Sequence, residues 1–359
     1  MNSAMSSSAW FRRLLPLVAV AAMGLLPARL GADLVWTPEA GWKLEGGVLS
    51  GLAGEESRNA LELMNKARFA EEKGNYGTAL GAYKKVTKNY PQSIYAPEAY
   101  YRTAYIRLAR HQYDKAFMAF QEIVMRYPNT PKFNQVVAEQ YRIATAVYDG
   151  ARNRIWGVIP LSKNRERSVG FYEQILSNAP YSDQAPAALM SIARAHQRFG
   201  NTPEAIDALD RMINFYPQSL LTPDAYLRLA QTHASLVEGP YYDQASTHEA
   251  ITYYQDFMIL FPGDPNIATA EKGLSQMKQE LADSKMKMAD YYFKYRQNYK
   301  AAKVFYNEAI TVYPDSKVAE RARTQLAVID QKLAAQPAET PAAGTAPATV
   351  PPAKVEPKR

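Results

Sequence analysis

Cysteine is absent from the 359 residues. That excludes disulfides, thiolate metal centres, cysteine nucleophiles and a lipid carried on a thiol anywhere among them. The chain also lacks a GxxxxGK loop, a GxSxG elbow and a GxGxxG between strand and helix, so nothing in it cradles a phosphate or exposes a serine nucleophile. The four histidines, His111, His196, His233 and His248, stand far apart without HExxH or His-x-His spacing and read as ordinary surface residues. Long apolar runs are missing too. The longest, Leu14 to Leu26, would cover only about 20 Å as a helix, short of a ~30 Å hydrocarbon core. One-sided charge is the last absence. The net charge of +7 divides into three arginines and no acid over 1–32, three bases and two acids over 334–359, and 36 bases against 33 acids between them. A net +3 over about 300 residues gives no clustered basic face for counterion release, so no nucleic-acid partner is expected. With no nucleophile, metal set or cofactor loop, neither an enzyme nor a cofactor is expected.

What is present begins with an export signal. Arg12 and Arg13 precede the apolar run, and Pro27 and the small residues Gly31-Ala32 follow it, the order of a secretory signal peptide over 1–32. Leu30-Gly31-Ala32 reads like the start of a bacterial lipobox, but Asp33 stands where the lipidated cysteine belongs. The mature chain is therefore expected to be exported, with any membrane association made through partners rather than a span or a lipid.

With 47% apolar and 21% charged residues the body can bury a sizeable core. One short phrase closes six of its segments, at Tyr90-Pro91, Tyr127-Pro128, Ala179-Pro180, Tyr216-Pro217, Phe261-Pro262 and Tyr313-Pro314. Each proline is followed two residues on by Ser, Thr or Asp. Proline stops a helix, and the hydroxyl or carboxylate is expected to cap the next one. Twelve residues before each proline stands a small residue (Ala79, Ala116, Ser168, Ala205, Ala250, Ala302), and four positions later a large one (Tyr83, Phe120, Tyr172, Leu209, Tyr254, Tyr306). Small then large at i and i+4 lets two helices approach and fills the gap beside them. Gly74-Asn75, Gly200-Asn201 and Gln297-Asn298 supply the tight turns before these helices. Helix, turn, helix, proline at a basic unit near 34 residues is the tetratricopeptide pattern. The expected fold is an all-α solenoid of about six helix-turn-helix units over 57–335 with a C-terminal capping helix. Asp149–Arg165 and Glu238–Thr247 read as inserted loops, and Asp283–Lys300 as one continuous helix.

The ends differ. Residues 33–56 carry Trp36, Trp42 and five glycines, and are expected to pack on the first repeat or stay disordered, the alternative being a peptide that a partner picks up. Residues 336–359 are rich in proline and alanine and read as an extended tail. Paired acids such as Glu71-Glu72 read as solvated helix faces. Counting back from the prolines places Met64, Arg68, Tyr101, Tyr105, Met190 and Arg194 on the first helices of their pairs, the face where a solenoid holds peptides. Tyr, Met and Arg suit an adaptable groove.

The last third resembles a known family. Ala289-Asp290-Tyr291-Tyr292-Phe293-Lys294, Asn298-Tyr299-Lys300-Ala301-Ala302 and Tyr313-Pro314-Asp315-Ser316 are similar to the final repeat of the BamD family, the helical-repeat components of the outer-membrane β-barrel assembly machine. Tyr242-Asp243-Gln244, and Gly74-Asn75-Tyr76 with Ala79 and Tyr90-Pro91, look like that family as well. The resemblance implies a non-catalytic, periplasm-facing scaffold at the outer membrane. Its N-terminal repeats would receive unfolded barrel precursors and its C-terminal repeats would dock a BamA-like barrel subunit. Three features depart from the family pattern: the missing lipidated cysteine, six units in place of the usual five, and Val304-Phe305 where some members place an arginine. A second reading is a general periplasmic repeat adaptor of the kind that coordinates cell division with the Tol–Pal system.

Overall fold

The computed structural model describes residues 33–45 and 54–335; the expected signal peptide over 1–32 and the Pro/Ala-rich stretch over 336–359 lie outside the described residues. Thirteen helices and two short antiparallel hairpins make up the described chain. They fall into two compact units, divided along the chain between Leu221 and Thr222. The first holds the hairpin β1 (Asp33–Thr37) and β2 (Gly41–Glu45), then α1 (Glu55–Glu72), α2 (Tyr76–Asn89), α3 (Ala96–Ala109), α4 (Tyr113–Arg126) and α5 (Phe133–Asp149). After the small hairpin β3 (Arg154–Ile155) and β4 (Ile159–Pro160) come α6 (Arg167–Asn178), α7 (Ala185–Phe199) and α8 (Thr202–Phe215). The second holds α9 (Thr222–Ser235), α10 (Ala245–Leu260), α11 (Ile267–Lys294), α12 (Tyr299–Val312) and α13 (Lys317–Ala335). Within each unit, consecutive helices pack in sequence as antiparallel pairs.

The proline phrase builds the same turn six times. The N–H of Ser93, Thr130, Ser182, Ser219, Asp264 and Ser316 donates to the carbonyl three residues earlier, on Tyr90, Tyr127, Ala179, Tyr216, Phe261 and Tyr313. Pro91, Pro128, Pro180, Pro217, Pro262 and Pro314 each occupy the second position of that turn, where a fixed φ is pre-set. The capping expectation needs correction. Ser316 does cap, accepting from the N–H of Ala319 at 3.1 Å. Ser93 and Ser182 do not: their hydroxyls are buried without a partner, because α3 and α7 begin three residues further on. In those repeats the serine belongs to the turn.

Within the pairs, the opposite turn is a glycine-terminated helix end. Gly74 and Gly200 take φ values of +72° and +79°, and the following Asn75 and Asn201 donate back to Ala70 and His196 carbonyls. This is the Schellman arrangement, which needs a left-handed residue. Gln297 fills the same role at φ +51° without being glycine. A left-handed conformation costs a non-glycine residue about 1–2 kcal/mol, partly offset by glycine's greater unfolded entropy. Gln297 is exposed. We expect Gln297→Gly to stabilise the second unit by about 0.5–1 kcal/mol, read as a raised urea midpoint with an unchanged slope.

The small positions Ala79, Ala116, Ser168, Ala205, Ala250 and Ala302 are all fully buried, and their large partners Tyr83, Phe120, Tyr172, Leu209, Tyr254 and Tyr306 are buried beside them. A further close approach was not anticipated: Gly273 on α11 lies so near Tyr254 that a Cβ there would fall 2.3 Å from its ring. Successive proline turns are also tied to each other. Tyr127 and Tyr216 donate their hydroxyls to the carbonyls of Pro91 and Pro180, at 2.7 and 2.6 Å.

Three sequence expectations differ in detail. The continuous helix α11 runs Ile267–Lys294, starting earlier and ending sooner than Asp283–Lys300, because the left-handed Gln297 stops it. Residues 33–45, for which no strand was expected, form a hairpin with Trp36 opposite Trp42 that packs on the first repeat. It is fastened to α1 where the Trp42 N–H donates to Asn65 Oδ1 at 2.8 Å. The insertion at 149–165 carries the second hairpin rather than a plain loop.

Candidate binding surface

The first helices of the pairs in the first unit, α1, α3, α5 and α7, carry a linked set of polar and aromatic side chains. Glu71 on α1 is its first node. Its carboxylate accepts the Tyr83 hydroxyl at 2.9 Å and both Nε and Nη2 of Arg102 at 3.2 and 2.5 Å, and Arg68 lies 3.2 Å away. On α3, Glu98 accepts from Lys132 at 2.6 Å, and the Lys132 ammonium sits 4.3 Å from the centre of the Tyr101 ring. Tyr101 donates to Tyr105, and Tyr105 donates to Glu139 on α5 at 3.0 Å. Glu139 also holds Arg142. The next step runs from Tyr141 on α5 to Ser191 on α7, with their hydroxyls 3.1 Å apart.

Against this geometry the six groove residues separate. Met64 and Met190 are buried, at 0% and 2% exposed, and belong to the core beneath the first helices; counting from the proline chose the correct helices but the wrong face for these two. Tyr101 is nearly buried and contributes mainly its ring to the wall. Arg68 lies under Trp36, its guanidinium 5.3 Å from the ring centre, so the first hairpin covers part of this end of the surface. Tyr105 is half-buried within the network, and Arg194 is exposed. Glu71 is a second correction. Its side chain is only 13% exposed and serves as an inter-repeat acceptor rather than a solvated face.

Burial raises the Glu98 carboxyl above its ordinary value, opposed by the neighbouring Lys132 charge. Glu71 is raised as well, again chiefly by burial, with the Tyr83 hydrogen bond pulling the other way. A raised folded-state pKa means that the native chain binds more protons than the unfolded one just above pH 4.5. Stability from these two groups is therefore fully present at lower pH and is lost as pH rises from about 4.5 through their raised values. We expect Glu98→Gln to flatten this part of the curve; the difference between wild-type and variant denaturation midpoints at pH 5 and pH 7 measures it.

In the second unit, α12 lines a shallow cleft of about 550 Å³ with the exposed Val304 and with Asn307, Thr311 and Val312, joined by Lys285 of α11 and His248 of α10. Lys285 and Glu308 close one side with a 2.8 Å ion pair. Phe305 does not reach this surface freely; it stacks on Tyr292 with ring centres 5.4 Å apart. Among the described residues, no group of three or more His, Asp and Glu side chains could hold a metal, and no helix is long and apolar enough to cross a membrane.

Paired helices joined by glycine-type turns and separated by proline turns define a tetratricopeptide-repeat protein, and repeat models match residues 63–93 and 98–130. The particular likeness is to BamD. A family model described as outer membrane lipoprotein matches residues 162–322, a little under half of the chain. The outer membrane protein assembly factor BamD of Caulobacter vibrioides is 23% identical over 131 residues, which cover 36% of this chain and 43% of that relative. The match thus spans less than half of the relative's length. Solved repeat proteins align along much of the chain at low superposition scores. One from Bacteroides fragilis is 13% identical with a TM-score of 0.34, covering 75% of this chain and 98% of its own. One from Parabacteroides merdae is 12% identical at 0.30, covering 76% and 99%. The chain is thus a tetratricopeptide-repeat protein by fold, similar to BamD over part of its length.

Proposed function

We propose that the protein is a non-catalytic periplasmic scaffold at the inner face of the outer membrane that assists β-barrel assembly. It binds unfolded barrel precursors along the first helices of its N-terminal unit and a BamA-like barrel subunit through the last helix pair of its C-terminal unit. The observation that carries this reading is the outer membrane lipoprotein family match, which runs from the insertion before α6 into α13 and so includes the Val304 cleft. The aromatic and charged network on α1, α3 and α5 supports the precursor site, because the half-buried Tyr105 and Tyr141 and the exposed Arg142 offer adaptable contacts to an extended chain.

The test is affinity capture from detergent-solubilised envelopes with the full chain as bait. Recovery of a β-barrel subunit carrying periplasmic domains is the expected result; recovery of Tol components without it would replace this reading with that of a cell-division adaptor. Val304 is 55% exposed, so Val304→Asp should leave the fold within about 0.5 kcal/mol of wild type. It places a charge in the cleft, and capture of the barrel subunit is expected to fall at least tenfold.

A further inference from the structure

The hairpin β3–β4 extends from the first unit between α5 and α6, and its tip is apolar in a way the fold does not use. Five of its residues are exposed: Ile155 at 42%, Trp156 at 74%, Val158 at 73%, Ile159 at 51% and Leu161 at 45%. The tip is nonetheless built, not loose. Trp156 and Gly157 take φ values of +51° and +83°, and the Val158 N–H donates to the Ile155 carbonyl. Two left-handed central residues make the turn whose twist matches a tight hairpin. Its base is held on α4 and the preceding turn. Arg154 N–H donates to the His111 carbonyl, Asn153 and Asp114 bond to each other twice, and Arg110 donates to the Trp156 carbonyl. Gly157 is required by contact as well, since a Cβ there would meet the Arg110 side chain.

Around the tip the charge is mainly positive, with Asp114 at the base pairing Arg167 at 3.4 Å. Residues 150–167 contain Arg152, Arg154, Lys163, Arg165 and Arg167 against the single acid Glu166, a net of +4 in a body that is close to neutral. Arg152, Arg154 and Lys163 are exposed and flank both strands. A convex apolar knob with a tryptophan at its crest and a cationic collar beneath it suits a layered target, apolar inside and anionic at its surface. From Trp156 to Arg154, the nearest member of the collar, is two residues of strand, or roughly 6 Å, the depth at which an interfacial apolar segment sits below lipid headgroups; Arg152 and Lys163 stand further back. Tryptophan favours that interface, and each basic residue near an anionic leaflet adds attraction. A protein partner would have to supply both a cavity for the knob and an acidic rim.

We infer that this hairpin is a membrane-contact element that inserts Trp156 and Val158 into the interface of an anionic lipid bilayer. A single shallow apolar contact binds reversibly, so it acts together with a docked partner, in the manner of two weak anchoring signals. The absence of native cysteine makes the test site-specific. Full-length Val158→Cys, and Leu220→Cys as the exposed control, are labelled with a polarity-sensitive fluorophore and mixed with vesicles of phosphatidylcholine containing about 30% phosphatidylglycerol. The probe at 158 should brighten several-fold and shift to the blue, while the probe at 220 should not. Combining Arg152→Gln, Arg154→Gln and Lys163→Gln with the 158 probe should weaken that response about a hundredfold in apparent affinity. A probe at 158 that stays aqueous on these vesicles, or one that responds equally in the triple variant, overturns the proposal. So does one that responds only to a lipid-free envelope protein extract, which would assign the knob to a protein partner.

Discussion

Tyr83→Ala should unfold the first unit at a denaturant concentration lower by the equivalent of about 3–5 kcal/mol, the range for removing a buried aromatic ring. Tyr83 is fully buried between α1 and α2, in a cluster with Met64, Val86 and Ile106 that also holds Trp42 of the first hairpin. The loss has two parts. The ring vacates core volume that Ala79, one turn earlier, cannot fill. The hydroxyl also leaves Glu71, whose carboxylate then keeps Arg102 and Arg68 but loses its short neutral donor. Tyr83→Phe separates the two parts, since it keeps the ring and should cost only about 0.5–1.5 kcal/mol for the lost hydrogen bond, Arg102 and Arg68 still pairing the carboxylate. The readout is local to one unit. Trp36, Trp42 and Trp156 all lie in the first unit, so tryptophan fluorescence should shift its midpoint for Tyr83→Ala. A Tyr83→Ala midpoint within 1 kcal/mol of wild type would mean that the buried small-large pair does not hold α1 to α2.

The parts of this architecture that were legible in the sequence are those fixed within a few residues. A proline two residues before Ser, Thr or Asp dictates a turn wherever it stands, and a glycine followed by asparagine dictates a left-handed helix end, so six copies in phase give helix number and order. The i, i+4 pairing of Ala79 with Tyr83, or Ala302 with Tyr306, is likewise a property of one helix. What stayed hidden depends on partners elsewhere. Met64 and Met190 were placed on the correct helices but face the core, because distance from a proline fixes an element without fixing its rotation. The first hairpin had a signal that helical periodicity masks: Leu34 and Trp36 alternate before Thr37-Pro38, and Trp42 and Leu44 alternate after Gly41.

The inter-repeat bonds had a signal too. Glu71 meets Arg102 at a separation of 31 residues, Glu98 meets Lys132 at 34, Tyr105 meets Glu139 at 34, and Arg211 meets Glu173 at 38. In a stack of repeats the partner of a half-buried charge lies one unit along the chain. Charges read one at a time look solvated, whereas charges compared at the repeat length pair up. Glu71 was misread for that reason.

Ala302→Trp is the largest change expected in the second unit. Ala302 is fully buried on α12 against α11, in a cluster with the equally small Ala282 and Ala289 and with Tyr306 one turn on. Those alanines let the two helix backbones come close, and Tyr306 then fixes their offset by donating its hydroxyl to Asp290 at 2.5 Å. An indole at 302 has no cavity to enter. It must displace Tyr306, and with it the Asp290 bond, or push α12 away from α11. Inserting a few methylenes into a packed core costs about 1–3 kcal/mol, and a whole indole should reach or exceed the upper end. Lys300→Trp, two residues away and exposed, adds the same side chain at the surface and should stay within about 0.5 kcal/mol. Circular dichroism melts of the pair give the comparison directly. Equal melting temperatures for Ala302→Trp and Lys300→Trp would mean that position 302 has room, and that the small residue twelve before each proline does not set the spacing of the helices.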